Sequence, residues 1–205
     1  DFPVRTRFPR RVDSRRQGFE RVIGGSTPID EEGRRSFNAR RHSGFDVALR
    51  IGALADSSLI ARRMCDVPRY VVAAPAYLER HGAPAHPREL SGHDCLTYSY
   101  LATPEIWRFT GPGGEEVAAR PGMRMRANNA DALMPATIAG LGLALQPDFV
   151  VWHHLRDGRL KAVLEDWTAP PIGLHLVTPP GGHRPARVNA LIDFLATRFA
   201  GAPWR

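Results

Sequence analysis

Tyr70-Val-Val-Ala-Ala-Pro-Ala-Tyr-Leu-Glu-Arg-His-Gly82 is the stretch that decides the fold class. Its opening apolar run carries two β-branched valines, which predicts a buried strand over Tyr70–Ala74. Pro75 stands where a helix can begin, because the N–H it lacks has no partner in a first turn anyway, and Gly82 can close that helix. A buried strand passing directly into a helix is the repeating unit of an α/β protein. The alternation continues on both sides. Upstream, Asp46-Val-Ala-Leu-Arg-Ile51 reads as a short strand stopped by Gly52. Downstream, Leu96 to Ser99 reads as a strand. Trp107-Arg-Phe109 and the segment from Val117 flank Gly111-Pro-Gly-Gly114, a hairpin loop. Asn128, Asn129 and Asp131 offer caps for an apolar helix ending near Gly140. Leu141 to Leu145 is a strand, and Pro147-Asp148 opens a helix that ends at Gly158. Leu160 to Leu164 and Ile172 to Thr178 are further strands. From Pro185, a last helix places Val188, Leu191, Ile192, Leu195 and Phe199 on one face.

The chain has 205 residues, 43% of them hydrophobic and 24% charged, enough to bury a core in one domain or two small lobes. No stretch approaches the roughly 18–20 apolar residues of a membrane span. The Arg-rich start has no apolar run and is not a secretory signal. Cys65 and Cys95 lack CxxC spacing and form no disulfide framework, which predicts reduced thiols and a cytoplasmic protein. Formal net charge is +7. Residues 1–44 hold 11 Arg against 6 acidic residues, so the basic excess is concentrated at the start. Lys161 is the single lysine, and that usage fits a GC-rich genome better than a DNA-reading face.

Signatures of catalysis are missing. The sequence has no GxSxG elbow, no P-loop and no GxGxxG turn. Gly140-Leu-Gly142 is too short for the last and follows a helix. Adjacent His153 and His154 are expected on different sides of a helix, unlike an i, i+4 metal pair. His81, His86 and His93 read as turn residues. Asp131 and Asp148 sit at helix starts, where capping is the common role. These readings predict no enzyme, no metal and no cofactor.

Binding fits better. In open α/β sheets, small ligands collect at strand C-terminal ends and helix N-termini. Three clusters occupy that place: Ser57 and Ser58 beyond Gly52, Ser99 and Tyr100, and Asn128, Asn129 and Asp131.

The same residues carry a family pattern. Asp46-Val-Ala-Leu-Arg-Ile-Gly52, Ser57-Ser-Leu-Ile-Ala-Arg-Arg63 and Ala73-Ala-Pro-Ala-Tyr-Leu-Glu-Arg-His-Gly82 resemble the effector-binding domain of LysR-type transcriptional regulators. So do Leu90-Ser-Gly-His-Asp-Cys-Leu96, Asn128-Asn-Ala-Asp-Ala-Leu133 and Ala139-Gly-Leu-Gly-Leu-Ala-Leu-Gln-Pro147. The match runs in order from about Gly44 to Phe199. It implies a two-lobed, type 2 periplasmic-binding-protein-like α/β fold joined by two crossing strands, near Tyr70–Ala74 and Ile172–Thr178. Lobe I would comprise 45–70 plus 173–205, and lobe II 71–172. The resemblance implies a small-molecule effector held by Arg50, Ile51, Gly52, Ser57 and Ser58 of lobe I. Ser99, Tyr100, Asn128, Asn129 and Asp131 would face them from lobe II, with Pro147 and Asp148 at its edge. Arg50 and the helix N-termini would suit a carboxylate or other anion. A homodimer or tetramer is implied, with Ala132, Leu133, Ala136, Thr137 and Gly140 in the contact. The alternative is a stand-alone solute-binding protein of a transport system.

Three departures from the pattern stand out. The winged helix-turn-helix that precedes this domain in the family has no counterpart, so a chain truncated at its N-terminus, without operator recognition of its own, is expected. Pro135 falls where the pattern has a helix former; a cap at Asn129 would put it inside the helix, whereas a start at Asp131 would tolerate it better. Residues 1–44 should carry the first strand and helix of lobe I but lack either periodicity. Two readings of them stand: a frameshifted translation of GC-rich DNA, and an authentic basic arm, divergent or disordered.

Overall fold

Prolines and glycines punctuate this chain, and the regular elements run between them. The computed structural model describes residues 46–52, 59–99, 103–128, 130–180, 184–200 and 204, with the main chain alone at 130 and 131. Strand β1 is Ala48–Ile51, and β2, Ile60–Val67, is separated by Pro68 from β3, Arg69–Ala73. Helix α1, Pro75–His81, ends where the Gly82 N–H reaches the Leu78 carbonyl at 2.9 Å, with Gly82 at φ +76°. Next come β4, Asp94–Tyr98, and a hairpin of β5, Trp107–Thr110, and β6, Glu116–Ala119. Strand β7, Gly122–Ala127, leads to α2, Ala130–Ile138. Strand β8 is Leu143–Pro147, α3 is Asp148–Arg156 and β9 is Lys161–Val163. Strand β10, Ile172–Thr178, and α4, Ala186–Phe199, complete the described strands and α-helices.

Two main sheets result. In the first, β10 lies between β1 and β2, antiparallel to both. The second has the order β7-β4-β8-β3-β9, with β4 parallel to β7 and β8, and β3 antiparallel to β8 and β9. The chain passes from the first sheet to the second at Pro68 and returns at Pro170-Pro171, ahead of β10. Proline lacks an N–H for a sheet ladder, so each passage falls where pairing must stop.

Successive strand residues point to opposite faces, and the second sheet is buried on both. Val71, Ala73, Cys95 and Leu143 pack with Tyr77 of α1 and with Trp107, Phe109 and Val117 of the hairpin. On the other face Val72, Leu96 and Ala144 meet Leu133 and Met134 of α2 and Val151 of α3. In the first sheet, α4 lays Val188 and Ile192 on Leu176, while Val67, Leu174 and Phe199 join Phe149 and Trp204 in a core shared across the passage.

Several sequence expectations need correction. The segment from Ile60, which carries no clear periodicity, is strand β2, its conformation imposed by pairing along β10. Strand β7 was not anticipated as a separate element. β8 starts at Leu143, two residues later than expected, because Gly140-Leu-Gly142 is a helix stop. Gly140, at φ +75°, donates to Thr137 O at 3.0 Å while Leu141 donates to Ala136 O at 3.1 Å, a Schellman ending. A Cβ on Gly142 would overlap the Asp94 carbonyl oxygen, so only glycine lets β8 start against β4. Pro135 lies inside α2, which begins at Ala130. His153 and His154 do not diverge: their ring centroids lie 3.8 Å apart.

Candidate functional site

The parallel strands of the second sheet end together. Tyr98 stands opposite Ala127, and the Ser99 N–H donates to Ala127 O at 2.9 Å. The β4–β8 register, Cys95 opposite Leu143, puts Ser99 level with Pro147. Pro147 in turn lies opposite Arg69. Asn128, Ser99, Pro147 and Arg69 therefore form the terminal row across this sheet, ahead of the first turns of α2 and α3. Helix N-termini at the ends of parallel strands present unpaired N–H groups to a ligand.

The first sheet brings its own end to the same place. The Gly52 N–H donates to Gly173 O at 3.0 Å, with Gly52 at φ +111°, and β2 finishes at Val67 opposite Ile172. Pro68 is the next residue, and its carbonyl accepts from the Asp148 N–H at 2.9 Å. Arg69 reaches back across the seam: its Nε–H donates to Pro170 O at 2.9 Å. Asp148 is buried, and its Oδ2 accepts from Trp204 Nε1 at 3.0 Å. Arg50 is half-buried on β1, opposite His175, and is already engaged within the chain.

The topology thus gathers Arg50, Ile51 and Gly52 from one sheet and Ser99, Asn128, Pro147 and Asp148 from the other at neighbouring strand ends. Ser57, Ser58, Tyr100 and Asn129, and the side chain of Asp131, lie outside the described residues, as do both readings of residues 1–44. Three polar residues at this seam were missed in the sequence. Gln146 is buried one residue inside its terminal position and Thr97 two residues inside, and Thr97 Oγ1 and Gln146 Nε2 have no partner. The third is Arg69. Gln146 could have been noticed as the one polar residue in the run Leu143-Ala-Leu-Gln-Pro147, and Arg69 as a cation directly after a strand-ending proline.

The contact residues expected on α2 divide differently. Leu133 and Thr137 are fully buried in the chain's own core, Thr137 Oγ1 donating to Leu133 O at 2.8 Å, so neither can present a side chain to a partner. Gly140 is buried too, its carbonyl accepting from Arg80 at 3.0 Å, whereas Ala132 and Pro135 are exposed and Ala136 half-buried.

Reactive chemistry is muted. Burial pushes the Cys95 thiol up to about 12, and burial followed by the Asp66 charge raises Cys65. Tyr77 Oη and His93 Nδ1 are 3.1 Å apart, but Tyr77 Oη also accepts from the Asp94 N–H, tying α1 to the opposite end of β4. Among the described residues no group of three His, Cys, Asp or Glu is placed to hold a metal, and no helix is long and apolar enough to cross a membrane. A groove of about 330 Å³ lined by Asp46, Val47, Arg187, Val188 and Leu191 lies at the far end of β1 from Gly52 and involves none of the expected effector residues.

Comparison with known proteins decides the family. The model of the LysR substrate binding domain matches residues 29–200, reaching upstream of Gly44. The chain belongs to the LysR substrate-binding domain family. An HTH-type transcriptional regulator of Xanthomonas campestris is 36% identical over 159 residues, covering 75% of this chain and 46% of the regulator. The full-length Vibrio cholerae virulence activator AphB, a member of the same regulator family, superposes with a TM-score of 0.66 at 34% identity, over 76% of this chain and 52% of AphB. The regulatory domain of AphB from Vibrio vulnificus gives 0.63 at 33% identity, covering 75% of each chain. The fold is therefore the two-lobed, periplasmic-binding-protein-like α/β fold of LysR-type regulatory domains. The chain spans about half the length of the curated relatives it matches. The family is one of transcriptional regulators, and the solute-transport alternative gains no support from these matches.

Proposed function

We propose that this chain is the effector-sensing domain of a LysR-type DNA-binding transcriptional regulator, holding a small molecule between its two lobes and catalysing nothing. Lobe I takes residues 45–70 and 173–205, lobe II residues 71–172. One observation carries the reading: two sheets present their strand ends to a single seam, just inside which Thr97 and Gln146 are buried without partners on opposite faces of the second sheet. Buried polar groups are rarely left unpaired, because losing water without a replacement costs about 1–3 kcal/mol each, and a ligand can supply the replacement. Effector binding shifts the population of lobe closures, and DNA contact belongs to the rest of the regulator. Such a regulator works in the cytoplasm as a homodimer or tetramer. In that assembly the exposed Ala132 and Pro135 of α2 make the contact in place of Leu133 and Thr137.

A thermal-shift screen of several hundred small metabolites tests the reading. A ligand at 100 times its Kd adds about 2.7 kcal/mol, which for a chain of this size raises Tm by roughly 5–10 °C. Asn128→Ala is expected to weaken the hit about tenfold. A cooperative melt that no compound moves would overturn the proposal.

A further inference from the structure

We infer that Arg69 is the countercharge for the effector and that the effector is a small organic carboxylate. The inference rests on the seam being the effector site. Arg69 ends the terminal row of the second sheet, yet its guanidinium is bonded to Pro170 O, at the passage into β10, whose Gly173 carbonyl also holds Gly52. The charged head thus lies between the two halves of the site.

Burial without a carboxylate is what sets it apart: Arg80, Arg108, Arg120, Arg159, Arg187 and Arg198 also pair with no Asp or Glu among the described residues but are exposed, and half-buried Arg184 donates to the Thr178 hydroxyl. Arg62, Arg63, Arg88, Arg124, Arg126 and Arg156 each pair with an Asp or Glu. Arg69 has no carboxylate within ion-pair reach among the described residues, only the Pro170 carbonyl on Nε. A guanidinium carries five N–H donors, so four remain for a ligand, in the planar fork that matches a carboxylate. Burial alone draws the Arg69 pKa below its usual value, with no acidic neighbour offsetting it. A half-buried cation left in that condition is costly, and an incoming anion relieves it. Strand alternation puts Ser99 and Pro147 on the same face as Arg69, with the unpartnered Thr97 hydroxyl one pleat behind Ser99. These hydroxyl groups can bond a carboxylate oxygen or the ligand's other polar atoms. Arg50, the cation singled out in the sequence, is already engaged.

The experiment uses the 205-residue chain, with benzoate, phenylacetate and succinate as probes and the amide of each as its neutral match. At low salt, at least one acid is expected to raise Tm by several degrees where its amide does not. Arg69→Gln is expected to weaken that acid at least tenfold by calorimetric titration. Arg69→Lys, which keeps the charge but not the fork, should weaken it at least threefold. Arg108→Gln, an exposed charge on the hairpin, should change nothing. Equal effects of acid and amide, unchanged affinity in Arg69→Gln, or no response to any acid would overturn the inference. If Arg69→Gln does not fold, Arg69→Lys decides, and affinity within twofold of wild type counts against the fork. A neutral compound found by the broader metabolite screen would sink the carboxylate assignment while leaving the sensing function standing, whereas an empty screen would sink both.

Discussion

The two sheets of this molecule differ in how fully they are clothed. The five-stranded sheet is buried on both faces, and Val72, Ala73, Cys95, Leu143 and Ala144 are all sealed from solvent. The three-stranded sheet carries α4 on one face, while β2 exposes Ile60, Ala61, Arg62 and Arg63 in succession. α4 leaves Phe194 64% exposed and Leu191 43% exposed. Apolar side chains left in water contribute little to folding, so the stability of the described residues is concentrated in the second sheet. The seam therefore joins a densely packed sheet to one that is thinly covered among the described residues, which is where a population shift between closures would be easiest to drive.

Paired substitutions put that contrast at risk most directly. Leu143→Ala removes a fully buried side chain from β8 and is expected to cost about 2–5 kcal/mol. Phe194→Ala on α4 should cost less than about 1 kcal/mol despite removing a larger group. Urea unfolding of both variants checks this, and comparable losses would mean that something covers α4 in solution. Gly142→Ala comes next. Its new methyl group would press into the Asp94 carbonyl, at a cost of about 1–3 kcal/mol. Gly92→Ala meets nothing within 4 Å and should be close to neutral in the same assay.

How legible this was in the sequence follows from the same contrast. Strand β3 and helix α1 were readable because an apolar run, Pro75 and Gly82 agree with the packing around them. α4 was readable from Val188, Ile192 and Phe199 at helical spacing. Strand β2 was not, since Ile60-Ala-Arg-Arg-Met-Cys carries no strict alternation and its conformation is imposed by pairing with β10, more than 100 residues away in sequence. The seam was half legible. Ser99, Asn128 and Pro147 could be placed by strand and helix boundaries alone, whereas Arg69, Thr97 and Gln146 matter because of what they fail to pair with. Partner absence is a property of the folded chain, and no spacing rule encodes it. The inward turn of Leu133 and Thr137 was hidden for a related reason: α2 is apolar on most sides, so its pattern does not say which face meets the sheet.

A smaller effect, opposite in sign, comes from α2. Pro135 cannot donate to the carbonyl of residue 131 and crowds the preceding turn, yet the helix continues, with Ala139 N bonding Pro135 O at 2.9 Å. Because Pro135 is exposed, replacing it disturbs no core. Pro135→Ala should stabilise the chain by about 1–2 kcal/mol, read as a raised urea midpoint with an unchanged slope. A loss of stability would mean that the proline fixes a bend on which the start of α2, and with it the Asn128 end of the seam, depends.

The smallest expected effect is a pH dependence, and it too separates the two sheets. His154 on α3 and His93 before β4 both belong to the second sheet's surroundings, and burial holds both pKa values below the usual 6.5. At His154 the neighbouring His153 and Arg159 charges add to the depression and Asp157 opposes it. At His93, His81 adds to it while Glu89 and Asp94 oppose it. A base with a depressed folded pKa binds fewer protons folded than unfolded. Its contribution is therefore fully present above about pH 6.5 and is lost as pH falls through the folded value. Opposing carboxylates keep the loss modest. Tm is expected to decline between pH 7 and pH 5, above the range where most carboxylates titrate. His154→Gln should flatten that decline, since the amide cannot take up a proton. An identical decline in wild type and variant would assign the acid sensitivity to His93, the other histidine that burial depresses.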